Sequence, residues 1–138
     1  MNDVPIRPLH IGISVADLEA SIAWYQEYLG FKLRYQEYMP PLKAAVAFMR
    51  NGDFELELFQ HDESVVLPPE RMMPDSDIRV QGTKHICFYH QDVMIFLTQL
   101  KERGVDVVLG PQVMPDGGIM GFIHDNNGTL IEFVQPAG

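Results

Sequence analysis

The chain has 138 residues, 46% of them hydrophobic, and a formal net charge of −9. This length suits one domain with a real core, and the acidic charge argues against non-specific binding to nucleic acid. No apolar run reaches the roughly 18 residues of a membrane span, and the N-terminus lacks the basic start and apolar stretch of a signal peptide. A single cysteine, Cys87, is typical of a reducing compartment. We therefore expect a cytoplasmic globular protein that associates with neither nucleic acid nor membrane.

The first half of the chain predicts one β-α-β-β-β unit. Residues 9–15 alternate as a half-buried strand does, and Asp17 follows where a helix N-cap belongs. Apolar residues at helical spacing then continue until Gly30, which is typical of a helix C-terminus. Three strands are predicted after this helix, at residues 31–38, 42–50 and 54–60.

The second half predicts the same order of elements. Residues 61–81 are rich in proline and acidic residues, and we interpret them as a linker between two modules at 7–60 and 82–136. A strand at 84–90 precedes a helix that begins at an Asp92 cap and ends at Gly104. Three further strands are predicted at residues 105–110, 117–124 and 129–135.

A shift of 75 residues superimposes the two halves. His10 then falls on His85 and Glu57 on Glu132, so that the same 47 positions separate histidine from glutamate in each half. One matched pair could arise by chance among five histidines. Two pairs embedded in matching strand patterns indicate a duplicated module.

The matched polar residues are predicted to share one face of each sheet. Because side chains alternate along a strand, Glu57 and Glu132 point away from the residues that pack under the helix, and His10 and His85 lie opposite core-facing isoleucines. A carboxylate among aliphatic residues needs a compensating charge. Two neutral imidazoles and two carboxylates would balance one divalent cation, and mixed nitrogen and oxygen ligands suit borderline or hard ions. The alternative is that these glutamates simply face water.

These segments resemble the vicinal oxygen chelate superfamily, which includes glyoxalase I, methylmalonyl-CoA epimerase, extradiol dioxygenases and bleomycin resistance proteins. The resemblance runs from "HIGISVADLEASIAWYQEYLGF" to "GFIHDNNGTLIEFVQ". It implies an α+β fold, with residues 1–138 as a single domain in which two tandem βαβββ modules form a curved mixed-sheet cup. It also implies a homodimer and one divalent ion per site (nickel, zinc, manganese, cobalt or ferrous iron), with four metal ligands: His10, Glu57, His85 and Glu132.

The resemblance further implies an enzyme, a metal-dependent lyase or isomerase of the glyoxalase I (lactoylglutathione lyase) type. Its small-molecule substrate would present two vicinal oxygens, and a proton would move next to a carbonyl through a metal-bound enediolate. Glu132 would act as the general base. One alternative is a methylmalonyl-CoA-type epimerase in which Glu57 and Glu132 work from opposite faces. The others are an iron-dependent extradiol-type dioxygenase and a non-catalytic drug-binding protein.

Residues that would hold an anionic part of the substrate stay open at this stage. Any such group would need cationic partners, and the candidates are Arg7, Arg34, Arg50, Arg71 and Arg79. Cys87 shares the face of His85 but has no evident base, which argues against a nucleophilic role. We expect His61 and His90 at solvated strand ends and His124 in a structural role.

Overall fold

The computed structural model describes residues 3–138, which divide into two compact units on either side of the Val65–Val66 bond. The first unit has one four-stranded sheet in the order β1-β4-β3-β2. Strand β1 is parallel to β4, and the other neighbours are antiparallel. Its elements are β1 (His10–Ser14), α1 (Leu18–Leu29), β2 (Lys32–Met39), a 3₁₀ turn (Pro40–Leu42), β3 (Ala44–Asn51) and β4 (Phe54–His61).

Helix α1 forms where its caps and spacing predict it. The Asp17 carboxylate accepts a hydrogen bond from the backbone N–H of Ala20 at 3.1 Å, and Gly30 ends the helix in the left-handed conformation with φ of 69°. The buried face of the helix packs on β3 and β4. Leu18, Ile22 and Tyr25 on the helix, and Leu56 and Leu58 on β4, are all buried.

The second unit repeats this order in a sheet arranged β5-β8-β7-β6, again with one parallel pair, β5 and β8. Two four-stranded mixed sheets with their helices confirm the α+β prediction. Strand β5 is shorter than predicted, so that His85 lies just before it. The elements of this unit are a 3₁₀ turn (Pro69–Arg71), α2 (Pro74–Asp77), β5 (Ile86–Tyr89), α3 (Val93–Glu102), β6 (Val107–Val113), β7 (Ile119–His124) and β8 (Leu130–Gln135).

Helix α3 packs against β6, β7 and β8. Asp92 caps the helix by accepting from the backbone N–H of Ile95 at 3.0 Å. Leu97 is buried on the inner face, and a Cβ atom added at Gly121 in β7 would lie only 2.2 Å from its Cδ1. The missing side chain of Gly121 therefore makes room for the helix.

The segment 61–81, which the sequence suggests is a linker, contains the 3₁₀ turn at Pro69–Arg71 and helix α2 at Pro74–Asp77. Helix α2 ends at Asp77, a buried carboxylate that accepts hydrogen bonds from Arg71 at 2.9 Å and from Lys84 at 3.2 Å. This ion cluster ties the segment to the residue immediately before His85. No helix within residues 3–138 is both long and apolar enough to cross a membrane.

Candidate metal centre

The first unit brings His10 and Glu57 together on the sheet face that α1 leaves open. In the parallel register of β1 and β4, His10 lies opposite Glu55 and Gly12 lies opposite Glu57. The His10 Nε2 atom is 3.4 Å from Glu57 Oε1, and the two side chains are 36% and 18% exposed. The pair is thus partly shielded yet open to a ligand.

The second unit builds the same pair from His85 and Glu132. His85 precedes β5, and Cys87, two residues later, lies opposite Glu132 in the parallel register with β8. His85 Nε2 is 3.3 Å from Glu132 Oε1, and the side chains are 26% and 18% exposed. The repeated histidine and glutamate in the sequence therefore form pairs with nearly the same distance in both units.

The spacing of each pair suits two ligands of one cation. Nitrogen and oxygen donors bind zinc-like ions at about 2.0–2.2 Å, which places cis ligands about 3 Å apart in octahedral and about 3.4 Å apart in tetrahedral coordination. Separations of 3.3 and 3.4 Å match that range and exceed the usual N–H···O hydrogen-bond length. The four predicted ligands occur as these two pairs. Across residues 3–138, no group of three or more histidine, cysteine or acidic side chains is placed to hold a metal ion.

A phenylalanine supports each histidine, and the sequence patterns did not reveal it. Phe48 lies opposite Glu57 in the β3–β4 register, and Phe122 lies opposite Glu132 between β7 and β8. Their rings meet the imidazoles edge to face, with centroids 6.0 Å apart for His10 and 4.8 Å apart for His85. The two phenylalanines precede their glutamates by nine and ten residues, and this one-residue slip hides them from a fixed shift of 75.

An apolar cavity of about 380 Å³ opens beside Glu132. Its walls are mainly hydrophobic, with Met114, Met120 and Val134 among them, and Asp116 is the other acidic residue that lines it. Met120 and Val134 pack with Phe122 and Leu130 in a small cluster on this face of the sheet. The cavity therefore offers apolar space next to the carboxylate.

The Cys87 thiol lies 3.9 Å from the carbonyl oxygen of Phe88, and Cys87 is the strand partner of Glu132. The residue is exposed, so its sulfur is only partly shielded from water. That shielding, together with the charge of Glu132, raises the pKa of the Cys87 thiol to about 12. The thiol is thus protonated at neutral pH, which agrees with the expectation that it is no nucleophile.

The other three histidines have local partners. His61 Nδ1 accepts from the backbone N–H of Glu63, and His90 Nδ1 accepts from that of Asp92, each at 2.9 Å. His124 lies 2.7 Å from an Asp106 oxygen and also contacts the backbone carbonyl of Met72. His124 thus contacts residues of two other segments, and the rings of His61 and His90 accept hydrogen bonds from the backbone just after their strands.

Paired βαβββ units, each with a histidine and a glutamate on the open face of its sheet, define the vicinal oxygen chelate class of fold. Residues 7–133 match the model of the Glyoxalase/Bleomycin resistance protein/Dioxygenase superfamily. The chain belongs to this family.

Named relatives are enzymes that act on two different substrates. An ethylmalonyl-CoA/methylmalonyl-CoA epimerase from Cereibacter sphaeroides is 29% identical over 91% of this chain and 95% of its own length. A lactoylglutathione lyase from Neisseria meningitidis serogroup A is 28% identical over 94% of this chain and 91% of its own. The crystal structure of glyoxalase I from Zea mays is 26% identical with a TM-score of 0.74, and the match covers 96% of this chain and 45% of the maize chain.

Proposed function

We propose that this protein is a divalent-metal-dependent enzyme that moves a proton on the carbon next to a carbonyl, in a reaction of the glyoxalase I type. One observation carries the proposal: each unit holds an imidazole nitrogen and a carboxylate oxygen 3.3–3.4 Å apart. The similarity to a lactoylglutathione lyase supports it. The donor set of nitrogen and oxygen atoms suits a borderline or hard divalent ion.

We further propose that His10, Glu57, His85 and Glu132 together hold one such ion, either within one chain or across a cytoplasmic homodimer. The ion, when bound, supplies Lewis acidity that stabilises negative charge on the substrate oxygens. The imidazoles and carboxylates balance its charge, because two of the four ligands are anionic. The edge contacts from Phe48 and Phe122 restrict the orientation of the two histidine rings.

Glu132 is the residue that moves the proton. Its carboxylate lies at the border of the apolar cavity, so a substrate with an apolar group in that cavity presents its neighbouring carbon to the carboxylate oxygens. Glu132 accepts the proton there and returns it to the adjacent carbon in a glyoxalase-type isomerisation.

A second candidate is epimerisation of an acyl-CoA, and the equivalence of the two glutamates favours it. Glu57 and Glu132 have the same 18% exposure and nearly the same distance to their histidines. Two equivalent carboxylates suit a reaction in which one removes a proton and the other delivers a proton to the opposite face. The similarity to the Cereibacter epimerase adds support.

Turnover of two substrates by three variants tests the proposal. The metal-loaded protein is assayed with the methylglyoxal–glutathione adduct and with methylmalonyl-CoA, before and after treatment with a chelator. Replacing Glu132 with Gln should lower kcat by about 10²- to 10⁴-fold on the true substrate. Glu57→Gln should be as damaging in an epimerase. Glu102→Gln, at the exposed end of α3, is the control and should keep full activity.

Three outcomes contradict the proposal. Glu132→Gln could retain turnover within tenfold of the original protein, which would remove the assigned base. Activity could survive complete removal of divalent ions. The third outcome is that the protein converts neither substrate but cleaves a catechol, which would favour the dioxygenase alternative.

A further inference from the structure

A cleft of about 520 Å³ on the first unit is lined by three cationic side chains, Lys32, Arg34 and Arg50. We call it the cation cleft. None of its described lining residues is acidic, although the chain carries a net charge of −9. Three cations gathered on a protein with a net negative charge form a local positive site that can attract an anion.

Two of these cations lie directly opposite each other. Lys32 on β2 and Arg50 on β3 are register partners in the antiparallel pair. Side chains at such positions project from Cβ atoms about 5 Å apart, and like charges there destabilise the sheet. An anion bound between them would remove that repulsion.

The charges of the cleft are only partly neutralised by the protein. Glu55 accepts two hydrogen bonds from Arg34, through Nε and a terminal nitrogen. Arg50 donates its Nε to the carbonyl of Gly52 at 3.0 Å, which leaves both terminal nitrogens available. Within residues 3–138, neither Lys32 nor Arg50 has a carboxylate within ion-pair distance. Three cations and one carboxylate leave a surplus of two positive charges.

The cation cleft lies on the same sheet face as the His10–Glu57 pair, one aromatic ring away from it. Phe48 meets the His10 ring with centroids 6.0 Å apart, and the Arg34 guanidinium stacks over the same phenylalanine at 5.1 Å from its centroid. Glu55, which binds Arg34, is the register partner of both His10 and Arg50. A ligand that spans this ring could touch both places.

We propose that the cation cleft binds the doubly charged anionic end of the substrate, a phosphate or a pair of carboxylates, while the reacting carbon lies at the metal centre. This inference rests on the proposed function. Lys32 and Arg50 make the contacts, because the Lys32 ammonium and the two terminal nitrogens of Arg50 are free, and a guanidinium can bind two oxygens of one anion side by side. Arg34 is a positioning residue, held over Phe48 by Glu55.

Both relatives named above act on substrates that carry such a group, and the two sources can be separated. Glutathione has carboxylates, and coenzyme A has phosphates. Direct binding of glutathione and of coenzyme A by titration calorimetry, at low and at high salt, reports on the cleft without turnover. The protein is compared with Lys32→Gln/Arg50→Gln and with Lys43→Gln/Lys101→Gln, a control that removes the same charge from exposed positions elsewhere.

One of the two ligands should bind the original protein, and its affinity should fall about 10- to 100-fold in Lys32→Gln/Arg50→Gln, as expected for lost charge-assisted hydrogen bonds. The control should bind within about twofold of the original. In turnover, the cleft variant should raise KM by a similar factor and leave kcat nearly unchanged. Arg34→Lys keeps the charge but loses the paired guanidinium hydrogen bonds to Glu55. It should therefore lower the ligand affinity less than Lys32→Gln/Arg50→Gln does.

The proposal is overturned if neither ligand binds the original protein, or if the cleft variant and the control bind alike. These failures are distinct from failure of the proposed function. If the cleft variant binds the ligand unchanged while Glu132→Gln abolishes turnover, the cation cleft is not the anion site but the proposed function stands. If the cleft variant loses binding while Glu132→Gln retains turnover, the cation cleft binds the anion but Glu132 is not the general base.

Discussion

Replacing Asp77 with Asn tests whether a buried ion cluster stabilises the approach to His85. Asp77 is 1% exposed, and its Oδ1 atom accepts from Arg71 Nε at 2.9 Å and from Lys84 Nζ at 3.2 Å. The second carboxylate oxygen, Oδ2, is buried with no hydrogen-bond partner among the described residues. Asn keeps the shape of the side chain and removes the charge that the two cations face.

The expected loss of stability follows from the burial of each partner. Removing one member of a fully buried ion pair costs about 3–5 kcal/mol. The side chains of Arg71 and Lys84 are 33% and 19% exposed, so water will solvate the cations that remain. We therefore expect a smaller loss, about 1–3 kcal/mol at neutral pH.

The same cluster predicts the direction of the pH dependence. Burial raises the pKa of Asp77, but the hydrogen bonds and charges of Arg71 and Lys84 outweigh it and hold the pKa below its ordinary value of 3.8. A carboxyl group with a lowered pKa in the folded state contributes stability that is present above the unfolded pKa and is lost as pH falls through the folded pKa. The stabilisation by Asp77 should therefore decline below about pH 4.

Urea unfolding between pH 2 and pH 7 measures both effects. The difference in unfolding free energy between the original protein and Asp77→Asn should be largest near pH 7 and should narrow in acid. Asp75→Asn, an exposed position in the same short helix, should change stability by no more than about 0.5 kcal/mol. A difference that stays constant down to pH 2, or no difference at neutral pH, would refute the reasoning.

Three other changes have defined outcomes. Asp17→Ala and Asp92→Ala should each lower the unfolding free energy by about 1 kcal/mol, because each removes an N-cap acceptor. Asn at either position can still accept the hydrogen bond and should restore most of the lost stability. An equal loss with Asn would contradict the capping role. Gly121→Ala should cost about 1–3 kcal/mol by overpacking against Leu97, and a smaller cost in a Leu97→Ala background would confirm the clash. Zinc at 100 times its dissociation constant should add about 2.7 kcal/mol to the unfolding free energy, reversibly with a chelator. An equal gain in Glu132→Gln would show that the ion binds elsewhere.

Much of the fold could be predicted because its signals are local. Asp17 and Asp92 cap their helices as the sequence suggests, and alternation along β4 and β8 separates buried leucine and isoleucine from the glutamates. The position of each His–Glu pair also follows from the repeat. A strand fixes the face of every side chain it carries, so matching strands in two modules carry matching residues to matching places.

Side-chain neighbours that arise from the pairing of strands could not be predicted from the sequence. Phe48 and Phe122 come to lie opposite the glutamates through antiparallel registers that contain turns of different length. Lys32 and Arg50 become neighbours only when β2 pairs with β3. Nothing in the separate segments specifies these distances.

The sequence alone determined the duplicated β-α-β-β-β order and the pair of residues that each copy brings to its open face, because both follow from short-range patterns. The tertiary structure decided which of five candidate arginines are available. Arg71 is bound within the ion cluster around Asp77, whereas Arg50 lies across from Lys32 in an open cleft. The physical reason is that the availability of a charged group depends on its partners across the fold, and those partners are far away in the chain.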